Sequence, residues 1–249
     1  MEITLLAFFA VGYFVLAGAD LGVGALLPYL GRSDDERGRV LASITPFFLG
    51  NEVWLIASAG ILVGAFPVLE GELLSGMYVP FVMLLLGWVV RDAGIWLRGR
   101  IDRAGWRGGC DGAVATGSWV VVLSWGFILP GMGQESVTGL AAAIVVPAVA
   151  ALFCAHGLAF AGLRLDGGPR ERARRFYGAS SERTIYALTS GGMALVCLLA
   201  GSRLPLAENL ADPATLALLT PSLLVITPVL VASQVWLWRV FGRAPVRSQ

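Results

Sequence analysis

Seven apolar stretches, each long enough to cross a bilayer, follow one another along the whole chain. A helix that spans the hydrocarbon core needs about 20 mostly apolar residues, and the segments between the stretches are too short to hold a soluble domain. The sequence therefore predicts an all-α, polytopic membrane helix bundle that forms one integral membrane domain over residues 1–249. The predicted spans are 3–30, 43–66, 74–97, 112–130, 137–163, 184–201 and 214–241.

The charged residues are few and are sorted between the predicted loops. Only 14% of the residues are charged, whereas a soluble domain carries about 25%. Every basic side chain is Arg, and Arg residues follow the first, third, fifth and seventh spans, with only Arg203 in an alternate loop. Because Arg-rich loops stay in the cytoplasm, the N-terminus is predicted to lie outside and the C-terminus inside. The net charge of +1 is the sum of charges that are separated between the two sets of loops, so it gives no indication of nucleic-acid binding.

Four ionisable side chains lie within the predicted spans, where a charge costs several kcal/mol. The helical rise places Asp20 about 16 Å, Glu52 about 14 Å, His156 about 12 Å and Arg91 about 10 Å from the Arg-rich end. All four therefore fall in the predicted cytoplasmic half. We predict a buried polar cluster or proton path that includes Asp20, Glu52, His156 and Asn51, which directly precedes Glu52.

Structural roles account for some of these residues equally well. Arg91 and its neighbour Asp92 are predicted to form an ion pair that ties helices together, and the Asp20 carboxylate could bind backbone groups instead of protons. His156 is predicted to be packed and hydrogen-bonded, because a b-type haem usually takes two axial side chains and the chain offers no second ligand. No catalytic residue and no metal ligand are predicted.

Small residues in the apolar stretches indicate how the helices pack. Gly18, Gly22, Gly24 and Gly50 are predicted to let helix backbones approach closely. Trp54 is predicted to pack in the same motif.

Asp20 precedes Glu36-Arg-Gly-Arg39 at almost the interval that separates His156 from Glu171-Arg-Ala-Arg174. A parallel repeat would produce this pattern. It predicts a first four-helix unit over residues 1–130 and a shortened second unit, an incomplete bundle, over residues 131–249.

Several phrases in the first half resemble one family. Gly18-Ala-Asp-Leu-Gly-Val-Gly24, Leu30-Gly-Arg-x-Asp-x-Glu-Arg37 and Gly50-Asn-Glu-Val-Trp-Leu-Ile56 are similar, in order, to motifs of subunit II of cytochrome bd-type quinol oxidases. Ala65-Phe-Pro67, Ser75-Gly-x-Tyr78 and Arg91 continue the resemblance. It is looser around Ala155-His-Gly157, and Trp236-x-Trp-Arg-x-Phe-Gly242 looks like the family's final helix.

The resemblance implies a function and a partner. It implies a non-catalytic membrane subunit of a terminal quinol:oxygen oxidoreductase in the bacterial inner membrane. That subunit pairs with a haem-bearing subunit I, which holds the b- and d-type haems and the quinol site. It also implies help with proton delivery from the cytoplasm, and it is compatible with a small single-helix subunit and with bound quinone or lipid. No nucleic-acid partner is expected.

Two departures from the family pattern are visible, and two other functions stay open. The family usually has about nine spans, and the missing pair would fall between residues 201 and 214. Many members carry an acid directly before the Gly-Asn motif, where this chain has Leu49. Buried acids in interrupted helices also occur in secondary transporters. A purely structural assembly subunit would equally accommodate the buried acids.

Overall fold

The computed structural model describes residues 1–133, 138–178 and 180–242. Within these ranges the chain forms eleven α-helices, joined by short turns and loops. In chain order they are α1 (Glu2–Ala25), α2 (Leu27–Leu30), α3 (Asp34–Ile44), α4 (Phe48–Ala65), α5 (Pro67–Gly76), α6 (Tyr78–Leu97), α7 (Ala104–Gly131), α8 (Gly139–Arg164), α9 (Gly167–Arg174), α10 (Glu182–Gly201) and α11 (Pro213–Phe241).

Seven helices of the described ranges are long and apolar enough to cross a membrane, judged by length and composition: α1, α4, α6, α7, α8, α10 and α11. This result confirms the prediction of an all-α protein with seven candidate spans. The placement of the N-terminus outside and the C-terminus in the cytoplasm stays a prediction.

Three of the observed membrane-spanning helices are shorter than the predicted spans, because the helix breaks inside each of those apolar runs. The run 3–30 breaks after Ala25, and α2 then begins with Pro28 in its first turn. The run 43–66 contains a turn around Pro46, and α4 begins only at Phe48. The run 74–97 breaks at Met77. A proline is favoured in the first turn of a helix but disrupts its interior, a constraint that hydropathy alone does not register.

Helix α1 lies at the centre of the bundle and packs against α4, α7, α8 and α10. Its aromatic side chains build much of the core: Phe14 contacts the rings of Trp125 and Phe153, and Tyr13 contacts Trp125 as well. Lipid tails are as apolar as these side chains, so such contacts stabilise a membrane bundle through close packing rather than through removal from water. The central position of α1 places Asp20 inside protein rather than against lipid.

Helices α6 and α7 form a closely packed antiparallel pair. A side chain at Gly87 would meet the Gly117 carbonyl oxygen at 2.9 Å, and one at Gly94 would meet the Cys110 carbonyl oxygen at 2.7 Å. The later residue of α6 faces the earlier residue of α7, so the two helices are antiparallel. Glycine at these positions allows the backbones to touch, and the pair holds Arg91 against the rest of the bundle.

Helix α11 lies at the edge of the bundle, against α4. Its apolar side chains are exposed along most of its length, and Gln234 is its one buried residue among those described. Leu219 and Leu237 of α11 face Gly64 and Gly50 of α4. The docking of α11 therefore depends on a few contacts, of which the one at Gln234 is polar.

The loops that carry most arginines meet at one end of the bundle. Asp111, two turns into α7, accepts hydrogen bonds from Arg37 at 2.8 Å and from Arg98 at 2.6 Å. Arg172, in α9, donates to the Leu30 carbonyl oxygen at 2.6 Å. The segments after α1, α6 and α8 are thereby joined at the same end of the bundle, as expected if all three loops lie on one side of a membrane.

Candidate functional site

Asp20 of α1 is buried beside an amide from the neighbouring helix. The residue is only 1% exposed, and its Oδ2 accepts a hydrogen bond of 2.6 Å from Asn51 Nδ2 of α4. The same amide nitrogen lies 3.3 Å from the Leu16 carbonyl oxygen and donates to it. Asn51 therefore links the middle of α1 to the start of α4.

A side chain from the last helix completes this arrangement. Gln234 Nε2 donates to Asn51 Oδ1 at 2.9 Å, and Gln234 Oε1 accepts from Trp54 Nε1 at 3.3 Å. Trp54, Gln234 and Asn51 thus form a continuous hydrogen-bonded series, here named the amide chain, that ends on Asp20. It connects α11, α4 and α1 through hydrogen bonds between buried side chains.

Glu52 is held by Arg91 across the gap between α4 and α6. Arg91 Nη1 lies 3.0 Å from Glu52 Oε1 and 2.9 Å from Asp92 Oδ1. The guanidinium also lies over the Phe48 ring, with its carbon 5.6 Å from the ring centre. Because Asp92 is on the same helix as Arg91, the contact that ties two helices together is the one to Glu52.

Asp20, Glu52, Arg91 and Asp92, here named the carboxyl cluster, contain three acids and one base. If all four were ionised, two negative charges would remain without a compensating cation. An uncompensated charge in an apolar interior costs far more than a neutral hydrogen-bonded acid. The composition of the carboxyl cluster therefore favours the retention of protons.

A small cavity is lined both by Asp20 and by the Glu52–Arg91 pair. Its volume is about 10 Å³, which is close to the smallest space that can hold one water molecule. The residues that line it and bear on the argument are Tyr13, Ala17, Asp20, Glu52, Arg91 and Val121. Asp92, with a side chain 21% exposed, lies nearer the surface of the bundle than the other members of the carboxyl cluster.

His156 occupies a different interface and is not part of the carboxyl cluster. Its Nε2 lies 2.8 Å from the Val15 carbonyl oxygen and its Nδ1 lies 2.8 Å from Thr189 Oγ1. A carbonyl only accepts, so Nε2 carries the proton and Nδ1 accepts from the threonine hydroxyl. The ring also stacks on Tyr186, with 4.7 Å between centroids. With both nitrogens engaged, His156 joins α1, α8 and α10 and does not fit the role of a haem ligand.

The predicted glycine contacts explain how these side chains approach one another. A side chain at Gly22 would lie 2.9 Å from the Gly157 backbone of α8, and one at Gly18 would lie 3.1 Å from Met193 of α10. A side chain at Gly24 would collide with Ser118 of α7. These three glycines keep the α1 backbone close to three neighbouring helices.

Gly50 and Trp54 serve the contact between α4 and its neighbours. A side chain at Gly50 would lie 2.9 Å from Leu237, so this glycine admits α11. Trp54 covers Gly12 of α1, where any side chain would overlap the indole ring, and its ring contacts Phe9 at 5.5 Å between centroids. Its indole nitrogen at the same time donates to Gln234.

At the Arg-rich end, the carboxyl group of Glu36 lies outside the spans and has a perturbed pKa. Arg172 Nη2 lies 2.5 Å from Glu36 Oε2. This hydrogen bond from a guanidinium favours the charged carboxylate and lowers the pKa of Glu36 below its ordinary value. The contact joins the loop after α1 to α9, so it belongs to the structural connection between loops rather than to the carboxyl cluster.

The structure brings together most, but not all, of the residues that the sequence indicates. Asp20, Asn51, Glu52, Arg91 and Asp92 lie around one small cavity or within one hydrogen bond of it, whereas His156 lies elsewhere. Sequence reasoning missed two members of the site, Gln234 and Tyr13. A single amide within the apolar run 214–241 is the signal that could have identified Gln234.

Within the described residues, no group of three or more His, Cys, Asp or Glu side chains is placed to hold a metal ion. The cysteines of those ranges, Cys110, Cys154 and Cys197, are unpaired.

Comparison with known proteins identifies the same family along most of the chain. A family model described as cytochrome bd terminal oxidase subunit II matches residues 1–202. The cytochrome bd ubiquinol oxidase subunit 2 of Bacillus subtilis (strain 168) is 34% identical over 185 residues, which cover 69% of this chain and 55% of that protein. The cytochrome bd-I ubiquinol oxidase subunit 2 of Escherichia coli (strain K12) is 36% identical over 126 residues, covering 49% and 33%.

The chain thus spans about half the length of the first relative and about a third of the second. Helix α11 lies beyond the residues that the family model matches. The matched range nevertheless includes α1, α4 and α6, which carry the carboxyl cluster. Because the family model covers most of the sequence, this chain belongs to the cytochrome bd terminal oxidase subunit II family.

Proposed function

We propose that this chain is the non-catalytic membrane subunit, subunit II, of a cytochrome bd-type terminal quinol:oxygen oxidoreductase in a bacterial inner membrane. The observation that carries the proposal is the family match over residues 1–202, which contains six of the seven candidate spans. In this assembly a haem-bearing subunit I would bind the b- and d-type haems and the quinol. A small single-helix subunit would be compatible with the same assembly.

The side chains of this chain support a non-catalytic role. An axial haem ligand needs an uncommitted ring nitrogen or thioether facing the haem. Both nitrogens of His156 are engaged by Val15 and Thr189, in an interface closed by Tyr186. The chain would therefore stabilise subunit I and complete its surroundings, while redox chemistry takes place in the partner.

We also propose that the carboxyl cluster helps to bring protons from the cytoplasm towards the oxygen-reducing site. Three carboxyl groups surround one guanidinium, so the cluster favours the retention of protons, and the partly exposed Asp92 provides a point of entry. Leu49 stands where many family members have an acid, so a route through that position is absent from this chain. Asp20 and Glu52 would take its place.

An apolar cavity that Tyr13 also lines supports the binding of a quinone tail or a lipid chain. Its volume is about 350 Å³, and Phe14, Leu55, Phe81 and Trp125 are among the side chains that line it. The lining is almost entirely apolar, which suits an isoprenoid or acyl chain rather than a polar head group.

The proposed second unit of the fold, α8 and α10 with α11, would contain fewer membrane-spanning helices than the first.

The proposal is tested by purification of the tagged full chain from its native membrane in mild detergent. We expect a haem-bearing membrane subunit to co-purify and the optical spectrum of the complex to change when a reductant is added. If the chain purifies alone and without haem, the proposal fails and a transporter becomes the better interpretation.

The proton role is tested in the same complex by carboxyl-to-amide variants. Glu52→Gln and Asp20→Asn are expected to slow oxygen consumption by at least about a hundredfold, since a positioned proton-transfer group contributes about 10²–10⁴-fold. Glu72→Gln, at an exposed carboxyl of α5, is the matched control and should leave the rate unchanged. If both cluster variants retain the wild-type rate while the complex assembles, the cluster has a structural role only.

A further inference from the structure

The direction of every hydrogen bond in the amide chain is fixed from both ends. The indole N–H of Trp54 can only donate, so the Gln234 atom that faces it is the carbonyl oxygen, and Gln234 Nε2 must face Asn51. The Leu16 carbonyl can only accept, so the Asn51 atom beside it is the amide nitrogen. Both constraints require the same orientation of Asn51, with Nδ2 directed at Asp20.

This orientation makes the two oxygens of Asp20 inequivalent. Oδ2 faces an N–H donor at 2.6 Å and must act as an acceptor. A proton on Oδ2 would point at that donor, so a proton bound by Asp20 resides on Oδ1. Oδ1 is buried and has no hydrogen-bond partner among the described residues. The proton-bearing oxygen of Asp20 is therefore the one that the amide chain leaves uncommitted.

The small cavity offers this oxygen a route to the Glu52–Arg91 pair. Asp20, Glu52, Arg91 and Tyr13 all line it, and Arg91 Nε is a second buried polar atom without a partner in the described part of the chain. The Tyr13 oxygen accepts from Trp125 Nε1 at 3.2 Å, which leaves its own O–H able to donate. A buried water typically makes about three hydrogen bonds, and these groups supply enough donors and acceptors.

We propose that the small cavity binds one water molecule that relays a proton between Glu52 and Oδ1 of Asp20, with Gln234 and Asn51 as positioning residues. The protonated Glu52 carboxyl gives its proton to the water oxygen, and the water gives a different proton to Asp20 Oδ1. Glu52 is then a carboxylate paired with Arg91, Asp20 is neutral, and the water is regenerated. The relay deepens the proposed proton role and rests on it only for its biological purpose.

The relay is tested by hydrogen–deuterium exchange of the Asp20 carboxyl, followed by infrared spectroscopy on the tagged full chain in the assembly with which it purifies. The carbonyl-stretch band that disappears in Asp20→Asn is assigned to Asp20. Val121→Ile adds a methylene to a residue that lines the small cavity, while Val122→Ile makes the same change at the next, equally buried position, which does not line it.

We expect Val121→Ile to slow exchange of the Asp20 proton by about a hundredfold, the lower end of what a positioned proton-transfer group contributes. Val122→Ile should exchange at the wild-type rate. Equal rates in all three proteins would overturn the relay.

If Val121→Ile does not assemble, a density map of the wild-type assembly that resolves ordered water decides instead. A peak within hydrogen-bond distance of Asp20 Oδ1 supports the proposal, and its absence overturns it.

The positioning role of Gln234 has a separate spectroscopic readout. Gln234→Leu removes the acceptor for Trp54 and the donor for Asn51, so the Asn51 amide is no longer held in one orientation. The Asp20 carbonyl-stretch band should then broaden or shift, whereas Asn209→Leu, at a half-buried amide outside the amide chain, should leave it unchanged. An unaltered band in Gln234→Leu would show that the amide chain does not orient Asp20.

Because these measurements follow one carboxyl group and not oxygen consumption, the relay and the proposed function can fail independently. A chain that purifies without haem would refute the oxidase role even if the Asp20 proton exchanged through the small cavity. Conversely, a haem-containing complex in which Val121→Ile exchanges normally would refute the relay alone.

Discussion

Removal of the guanidinium of Arg91 should be one of the most destabilising changes in this protein. Arg91 is 2% exposed and lies 3.0 Å from Glu52 and 2.9 Å from Asp92. Arg91→Met keeps much of the side-chain volume but leaves both carboxyl groups without a cation. The loss of one partner from a buried ion pair costs about 3–5 kcal/mol, so we expect a fall of that size in the free energy of unfolding.

The assay is denaturant- or detergent-induced unfolding of the purified full chain in its native assembly, followed by tryptophan fluorescence. Arg174→Met is the matched control, because that side chain is 47% exposed and its nitrogen lies 3.4 Å from Glu182. A solvent-exposed pair of this kind contributes about 0–1 kcal/mol. The two substitutions remove the same chemical group and differ in the burial of its surroundings.

A second substitution tests the cause of the loss. In Arg91→Met combined with Glu52→Gln, the carboxylate that Arg91 compensated is replaced by a neutral amide of the same shape. We expect the double variant to recover about 0.5–3 kcal/mol relative to the sum of the single changes, the range seen for residues in direct contact. The reasoning is refuted if Arg91→Met destabilises no more than Arg174→Met, or if the double variant loses the full sum.

Three further changes test the packing and the Arg-rich end. Gly157→Ala would force α8 away from Gly22 and cost about 1–3 kcal/mol in unfolding free energy, whereas Gly60→Ala, with no neighbour within 4 Å, should be neutral or slightly stabilising. Arg172 lowers the pKa of Glu36 below the ordinary Glu value of about 4. Their contact therefore stabilises the fold fully above that ordinary value, and the stabilisation is lost as the pH falls through the lowered pKa. Glu36→Gln should abolish that part of the acid-induced loss in unfolding titrations. His156→Phe keeps an aromatic ring at this position but loses both hydrogen bonds, and thermal unfolding should report about 1–3 kcal/mol of destabilisation.

The depth of each buried polar residue could be read from the sequence, but its direction could not. A fixed rise per residue gives the depth of Asp20, Glu52 and His156 along their helices. Which neighbour each one faces depends on the rotation of its helix about its own axis, and packing alone determines that rotation. Asp20 and His156 therefore lie at similar depths in different interfaces, one beside Asn51 and the other beside Thr189.

The sequence by itself determined that the chain is a bundle of apolar helices, that a few acids are buried, and that one end of the bundle carries most of the arginines. These properties follow from composition and from distances along single helices, which are local quantities. Only the tertiary structure decided that Gln234, 183 residues from Asn51 in the chain, completes the amide chain. The pairing of distant side chains depends on how whole helices pack, and no local pattern in one helix encodes the surface of another.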